Sequence, residues 1–346
     1  MKLGLQLGYW GAGVPPHAAD MVIAADEVGY DAVFTAESWG SDVFTPLAWW
    51  GSATTRVRLG TAVAQLSARA PTATAMAALT LDHLSGGRVI LGLGVSGPQV
   101  VEGWYGAPFG RPLARTREYV SIVRDVLARQ TPVTSDGPHY PLPYTGSGAD
   151  GLGRPLRSIT HPLRADLPIW LGAEGPRNVA LAAEIADGWQ AVYFTATLAE
   201  EYNTWLDEGF ARAGARRSRA DFEVAACASV TVTDDPAAEY DKHRPVIALY
   251  AGGMGAATKN FHADLFRRMG YGEVVDEIGA RFREGRRAEA AAAVPDELVA
   301  ETTIIGDAAT VRRRVTEWSD LGVTMLMVGA RDAEQVRTIA EVLAEN

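Results

Sequence analysis

One local pattern recurs along this chain and restricts its fold more than any other: a helix with an acidic end, a glycine, and at once an apolar strand. It occurs as AADEVGYDAVF (24–34), AAEIADGWQAV (182–192) and EWSDLGVTMLMV (317–328), and LDHLSGGRVILGLG (81–94) is a variant. Glycine closes a helix because it accepts the left-handed backbone conformation. Apolar strands that alternate with helices are typical of a parallel sheet covered on both faces.

Eight strands are predicted, and most of them are followed by a helical pattern. They are residues 2–7, 31–35, 57–63, 88–93, 168–171, 189–192, 222–232 and 324–328. Eight is the strand count of a (β/α)8 barrel. The predicted fold class is therefore α/β, a (β/α)8 TIM barrel with insertions.

Two stretches interrupt the alternation. Residues 130–167 are rich in glycine and proline without a sustained period, and residues 233–303 are helical, charged and alanine-rich. Long irregular stretches of this kind are usually functional or disordered. We interpret both as excursions from one barrel, so that residues 1–346 form a single domain.

Composition limits the partners. With 32 basic and 42 acidic side chains the net charge is −10, which argues against nucleic acid and anionic membranes as partners. The single cysteine, Cys227, fits a reducing cytoplasm. The N-terminus has no signal-peptide pattern, and no apolar run approaches roughly 18 residues. Because the six histidines lack ligand spacing, no metal is expected.

The segment GLGVSG (92–97) is a literal G-x-G-x-x-G directly after a predicted strand. One interpretation is a Rossmann dinucleotide site, but the motif follows the fourth strand and Pro98 interrupts the helix behind it. No strand with an acidic end lies about 20 residues further on. The preferred interpretation is that these glycines let a flat ligand approach the barrel mouth.

Three further strand ends carry candidate chemistry. Residues 172–177 (GAEGPR) start a helix whose free N–H groups favour an anion, although an ordinary turn between strand and helix would have the same sequence pattern. Glu37, beside Trp39, is either a proton donor or a helix-capping acid. Residues 61–65 (TAVAQ) are small enough for a bulge or a close ligand contact, with a plain core strand as the default.

Four segments in combination resemble the luciferase-like flavin and deazaflavin oxidoreductases. They are LGTAVAQLSARAP (59–71), LDHLSGGRVILGLGVSG (81–97), GAEGPRNVALAAEIADGW (172–189) and IGDAATVRRRVTEWSDLGV (305–323). The resemblance covers essentially the whole chain and is greatest to the coenzyme F420 branch of the methylenetetrahydromethanopterin reductase type. YAGGMGAATKNF (250–261) looks typical of one subgroup. A dimeric (β/α)8 barrel is implied, and we expect a homodimer.

The resemblance also implies where F420 lies. A cis peptide between Ala62 and Val63 would form a bulge behind the deazaflavin ring, residues 93–96 would line the cofactor, and residues 173–177 would hold its phosphate arm. The predicted cofactor-binding residues are Thr61, Ala62, Val63, Gly94, Val95, Ser96, Ala173, Glu174, Gly175, Pro176 and Arg177.

One departure from the family bears on the reaction. Luciferases and the F420-dependent sugar-phosphate and alcohol dehydrogenases have histidine where this chain has Ser38, so the resemblance favours a reductase. We expect hydride transfer between C5 of F420 and a small molecule with a C=C, C=N or C=O bond, with Glu37 or Tyr193 as the proton donor. The alternatives are an FMN-dependent monooxygenase that uses O2 and an F420-binding protein without turnover.

Overall fold

The computed structural model describes residues 1–254 and 260–345, and within them ten parallel strands form one sheet. The strands are β1 (Lys2–Gln6), β2 (Ala32–Thr35), β3 (Arg58–Thr61), β4 (Ala64–Gln65), β5 (Val89–Gly94), β6 (Ile169–Gly172), β7 (Gly188–Ala191), β8 (Glu223–Val232), β9 (Thr303–Gly306) and β10 (Met325–Gly329). Each of the eight predicted strands overlaps an observed one.

The sheet closes because β10 pairs with β1 on one side and with β8 on the other. The order β1-β2-β3-β5-β6-β7-β8-β10 is therefore a ring of eight parallel strands. This confirms the predicted (β/α)8 barrel. It also shows that the Rossmann interpretation is wrong, since that site requires an open sheet with a crevice where the strand order reverses.

The helices cover the outside of the ring. They are α1 (Ala18–Val28), α2 (Phe44–Gly51), α3 (Pro71–Ser85), α4 (Pro98–Gly103), α5 (Pro112–Ala128), α6 (Pro176–Ile185), α7 (Ala199–Phe210), α8 (Pro236–Ala248), α9 (Phe261–Arg268), α10 (Gly272–Arg283), α11 (Arg287–Ala292), α12 (Asp296–Thr302), α13 (Ala308–Asp320) and α14 (Ala333–Ala344). In the described part of the chain, none is long and apolar enough to cross a membrane.

Local signals explain several of these boundaries. Pro71 opens α3, and Gly86 ends it in the left-handed conformation at φ 68°. Asp307 caps α13 by accepting from the N–H of Thr310 at 2.7 Å. Asp332 caps α14 in the same way. Pro71, Asp307 and Asp332 are sequence signals for the starts of these helices, because proline is favoured at the first helical position and aspartate at the N-cap.

Two strands differ most from the prediction. The third predicted strand, 57–63, ends as β3 at Thr61, and after Ala62 and Val63 the chain continues as the short strand β4. Strand β9 was missed because it begins at Thr303, where the second excursion was expected to end. It pairs in parallel with the second half of β8, beyond the part that pairs with β10. The β-branched run TTII (302–305) was the available signal.

The two excursions differ in structure. Residues 130–167 carry no helix or strand, only the antiparallel bridges Val133–Leu156 and Ser135–Leu142. The second excursion contains α8 to α12 and one π-helical turn, Leu249–Gly253. Part of the subgroup segment 250–261, residues 255–259, lies outside the described residues.

The N-terminal ends of β6 and β7 are joined by a buried carboxylate. Asp187, with 5% of its surface exposed, accepts from the backbone N–H of Ile169 at 2.8 Å. It also pairs with Arg124 at 2.6 Å and with Arg216 and Arg217 at 2.7 Å each. Burial alone would raise the pKa of Asp187, but Arg124, the Ile169 N–H and Arg216 outweigh it and lower the pKa.

We predict that Asp187→Asn lowers the free energy of unfolding at neutral pH by about 3 kcal/mol, because Arg124 is left half-buried without its counterion. Since the folded-state pKa lies below the ordinary 3.8, this stabilisation is present above that value and is lost as the pH falls through the lowered pKa. The difference between variant and wild type should therefore shrink in acid. Urea unfolding at several pH values measures it.

Asp207→Asn is the matched control, since Asp207 pairs with Arg219 at the surface with both side chains exposed. Its effect should stay below about 1 kcal/mol. Equal losses in the two variants at neutral pH would contradict a special role for the buried carboxylate.

Candidate functional site

The C-terminal ends of the eight barrel strands meet at one mouth, and β3 is interrupted there. The peptide bond between Ala62 and Val63 is cis, as the family resemblance implied. After it the chain returns to the sheet as β4, which pairs with β5 through Ala64 and Gln65. Ala62 and Val63 are both half-buried. They therefore form a bulge at the mouth.

The bulge is held by glycines on the two neighbouring strands. Gly94 and Gly172 are register partners in β5 and β6, and a Cβ at either position would collide with the side chain of Val63. A Cβ atom at Gly172 would lie 2.8 Å from Cγ1 of Val63, which is too close. A Cβ at Gly92 would meet the carbonyl oxygen of Thr61. These glycines thus make room for the bulge, and the expectation that they let a flat ligand approach the mouth stays a prediction.

Thr61 lies beneath the bulge and is fully buried. Its hydroxyl donates to the carbonyl of Gly92 at 2.6 Å, and its own carbonyl accepts from Gln190 Nε2 at 3.1 Å. The side chain therefore ties β3 to β5 inside the barrel. Its predicted contact with a cofactor has no support in this geometry.

Two similar loops follow β5 and β6 at the mouth. After β5, Ser96 is in the left-handed conformation at φ 59°, Val95 is half-buried, and Gly97 and Pro98 begin α4. After β6, Gly175 and Pro176 begin α6, as predicted.

The start of α6 offers free donors. The first N–H bonded within this helix is that of Val179, to the Gly175 carbonyl at 3.1 Å. The N–H groups of Arg177 and Asn178 therefore have no partner within the helix. Arg177 is exposed beside them. Together they form an anion-binding terminus.

Glu37, one of the two predicted proton donors, is buried and paired. Its carboxylate oxygens accept from Arg69 at 2.6 and 2.9 Å in a two-pronged ion pair. One oxygen also accepts from the backbone N–H of Gln65 at 2.8 Å, in β4. These contacts fasten the bulge strand to the loop after β2. They favour a structural role for Glu37, and its catalytic role stays a prediction.

Tyr193, the other predicted donor, follows β7. Its ring packs edge-on against Tyr250 and Phe266 from the second excursion, at centroid distances of 5.4 and 5.0 Å. Burial, with a smaller contribution from Glu174, raises the pKa of the Tyr193 hydroxyl far above 10. A phenol with such a pKa is a poor acid near neutral pH.

The sequence analysis missed a polar pair beside Tyr193. His262, in the first turn of α9, has its Nδ1 atom 2.7 Å from Oε1 of Glu174, in the loop after β6. The ring of Tyr250 lies against the histidine ring at a centroid distance of 4.6 Å. The Tyr250 hydroxyl is hydrogen-bonded to Tyr9, which follows β1. Of the predicted residues, Glu174 and Tyr193 therefore meet here. The one sequence signal for His262 was its position in the second excursion, residues 233–303, since long stretches of this kind are usually functional or disordered.

Cys227 lies in β8 and its side chain packs on the apolar cluster inside the barrel. Burial raises the pKa of its thiol to about 12, so the thiolate that nucleophilic or metal chemistry needs is disfavoured. Among residues 1–254 and 260–345, no group of three His, Cys, Asp or Glu side chains could hold a metal ion.

The fold and site define an α/β barrel whose mouth carries a bulged third strand and two glycine-proline helix starts. The family model described as luciferase-like monooxygenase matches residues 6–325. The chain therefore belongs to the luciferase-like monooxygenase family, which confirms the predicted family and enzyme class.

Two relatives are similar in sequence. A Mycobacterium tuberculosis protein named "Putative coenzyme F420-dependent oxidoreductase Rv3520c" is 65% identical over 343 residues, covering 99% of both chains. The 5,10-methylenetetrahydromethanopterin reductase of Archaeoglobus fulgidus is 29% identical over 310 residues, 88% of this chain and 87% of that one.

Solved structures agree in fold. The coenzyme F420-dependent tetrahydromethanopterin reductase of Methanopyrus kandleri superimposes with a TM-score of 0.79 at 22% identity, covering 99% of this chain and 98% of that one. An F420-dependent secondary alcohol dehydrogenase with an F420-acetone adduct gives 0.74 at 17% identity, with the same coverage. At these identities the likeness concerns the fold alone.

The packing of the bulge predicts an energetic coupling. Gly172→Ala should cost about 1–3 kcal/mol of stability, because its new methyl group collides with Val63. In a Val63→Ala background the same change should cost about 1 kcal/mol less. Denaturant unfolding of the four proteins gives the coupling energy.

Gly329→Ala, at the end of β10, is the control for this cycle, since no heavy atom lies within 4 Å of its Cβ position. Its effect on the free energy of unfolding should be additive with that of Val63→Ala. Additivity of Gly172→Ala with Val63→Ala would refute the contact.

Proposed function

We propose that this protein is a coenzyme F420-dependent oxidoreductase that transfers a hydride between C5 of the deazaflavin and an unsaturated small-molecule substrate. The acceptor bond is C=C, C=N or C=O. The observation that carries the proposal is the 65% identity over the whole chain to the mycobacterial relative whose name includes this cofactor. The absence of histidine at position 38 supports the reductive direction.

The residues at the mouth fit this cofactor. The half-buried Ala62 and Val63 offer an apolar wall against which a flat ring can lie. Gly175 is open, with no heavy atom within 4 Å of its Cβ position, and the free N–H groups of α6 and Arg177 lie next to it. The buried Gln6 Oε1 at the end of β1 has no hydrogen-bond partner among residues 1–254 and 260–345. A ring N–H group would satisfy it.

In this assignment Ala62, Val63, Val95 and Ser96 hold the ring, and Ala173 and residues 175–177 hold the phosphate arm. Bound reduced F420 supplies the hydride, while the chain orients the two reactants and excludes water. The Glu174 carboxylate faces His262, so it does not occupy the anion-binding N–H groups.

A second candidate is an FMN-dependent monooxygenase that uses reduced FMN and O2, which the description of the matching family favours. An F420-binding protein without turnover is a third. Binding of F420 or of FMN distinguishes the F420-dependent oxidoreductase from the monooxygenase. Turnover with reduced F420 distinguishes the oxidoreductase from a protein that only binds the cofactor.

We expect purified protein to bind F420 with a micromolar or lower dissociation constant and FMN more weakly, as measured by fluorescence titration. Arg177→Glu should weaken F420 binding about tenfold or more, because it reverses a charge beside the phosphate donors. Reduction of 2-cyclohexen-1-one, menadione or 1-pyrroline by reduced F420 would then demonstrate turnover.

Arg313→Glu makes the same charge change on the exposed outer face of α13. It should leave the F420 dissociation constant within twofold of wild type. Micromolar FMN binding without F420 binding would overturn the proposal.

We further propose that the protein is a homodimer joined through α1, α2 and α3. These neighbouring helices expose four large apolar side chains, Ile23, Trp49, Met76 and Leu84. Trp49 is the largest of them, with 77% of its surface exposed. A surface of this kind on adjacent helices is typical of a protein interface.

Trp49→Glu should raise the dimer dissociation constant about thirtyfold or more, because a buried tryptophan anchor is replaced by a charge. Sedimentation velocity over a concentration series measures it. Val246→Glu, at an exposed valine of α8, should leave the dimer unchanged. A wild-type monomer at all concentrations would refute the assignment.

A further inference from the structure

The second excursion carries one histidine to the barrel mouth. His262 lies in the first turn of α9. Its ring is edge-on to the rings of Tyr250 and Tyr193, at centroid distances of 4.6 and 6.4 Å. Tyr193 is the second residue after β7, and Glu174 is the second residue after β6. The imidazole therefore lies over the ends of two adjacent barrel strands, where ligands of such barrels bind.

The carboxylate beside this histidine has unusual surroundings. Glu174 has 16% of its side chain exposed, and both of its oxygens are buried without a well-aligned hydrogen bond. Within the described residues, His262 is the one basic side chain within 4.0 Å of it. A buried carboxylate without donors is costly unless a partner lies beside it. The imidazole of His262 is therefore the group placed to interact with this carboxylate.

The geometry also determines which nitrogen faces the carboxylate. Nδ1 lies 2.7 Å from Oε1 of Glu174, without the alignment of a hydrogen bond, and Nε2 is the ring nitrogen that does not face it. A carboxylate that faces Nδ1 keeps a proton there and directs the other nitrogen to its reaction partner. The loose alignment is typical of catalytic pairs before their ligand binds.

We propose that Glu174 and His262 form the proton-transfer pair of this site, with Glu174 positioning the imidazole and His262 Nε2 delivering the proton to the substrate. The inference rests on the proposed function. One atom of the substrate double bond takes a hydride from the reduced deazaflavin, and the π electron pair moves to the other atom. That atom takes the proton as the Nε2–H bond breaks. Neutral imidazole remains, and solvent recharges it through the exposed 19% of the side chain.

The other titratable groups around the ring do not compete for this role. Tyr193 and Tyr250 pack on it, Tyr9 bonds to Tyr250, and Cys227 lies below on β8. Burial raises the pKa of all four groups. They therefore stay protonated near neutral pH and hold their protons more tightly than an imidazolium does.

The first test is the protonation of His262 in the cofactor-free protein, measured by nitrogen-15 NMR of the imidazole rings. The chain has six histidines, and His262→Gln assigns the relevant signal. We expect the neutral ring in wild type to carry its proton on Nδ1, and this preference to disappear in Glu174→Ala. A neutral ring that carries its single proton on Nε2 in wild type would overturn the proposal.

The second test is catalysis with 2-cyclohexen-1-one, menadione or 1-pyrroline and reduced F420. His262→Gln should lower kcat about a hundredfold or more with KM and the F420 dissociation constant within twofold of wild type. We expect kcat of wild type to fall with rising pH and this fall to be absent in His262→Gln, and added imidazole should restore part of the rate. Glu174→Gln keeps the shape of the pair and should have an intermediate effect.

His243→Gln, on α8 in the same excursion, is the matched control and should leave kcat, KM and the pH profile unchanged. A loss of F420 binding in His262→Gln, or a low rate that imidazole does not restore, would indicate a structural role and overturn the proposal. If wild type binds F420 but reduces none of the three probes, the proposed function is contradicted while the NMR measurement still decides the pair.

Discussion

The site depends on one packing constraint, the side chain of Val63 filling the space above two glycines. Gly94 and Gly172 are paired across β5 and β6, and neither position can carry a Cβ while Val63 is there. The bulge therefore has one position relative to the strands around it. Arg69 and Glu37 secure it from the other side by joining β4 to the loop after β2.

The bulge also organises the rest of the mouth. Because the glycines that hold it end β5 and β6, the loops that follow begin at fixed points and start α4 and α6 with their N-termini beside it. The second excursion then covers the other half of the mouth and adds His262 opposite Glu174. The rigid half of the site thus comes from the barrel, and the half that carries candidate proton chemistry comes from an insertion.

The repeated helix, glycine and strand pattern was enough to predict the barrel, because each unit is local and its glycine ends the helix. Strand β9 escaped prediction because four residues after a helical stretch carry little periodic signal, and their pairing partner, the second half of β8, is about 70 residues away. The packing role of Gly94 could not be predicted for a related reason, since the atoms that need the space belong to Val63, in the bulge between β3 and β4.

The sequence by itself determined the fold class, most strand positions, the helix ends at Pro71, Asp307 and Asp332, and the family, because these follow from neighbours in the chain or from motifs. Only the tertiary structure decided what the side chains of the site contact. It paired Glu37 with Arg69 and brought Glu174 to His262, 88 positions later. Such contacts depend on how an excursion folds back over the barrel, and no local pattern specifies that path.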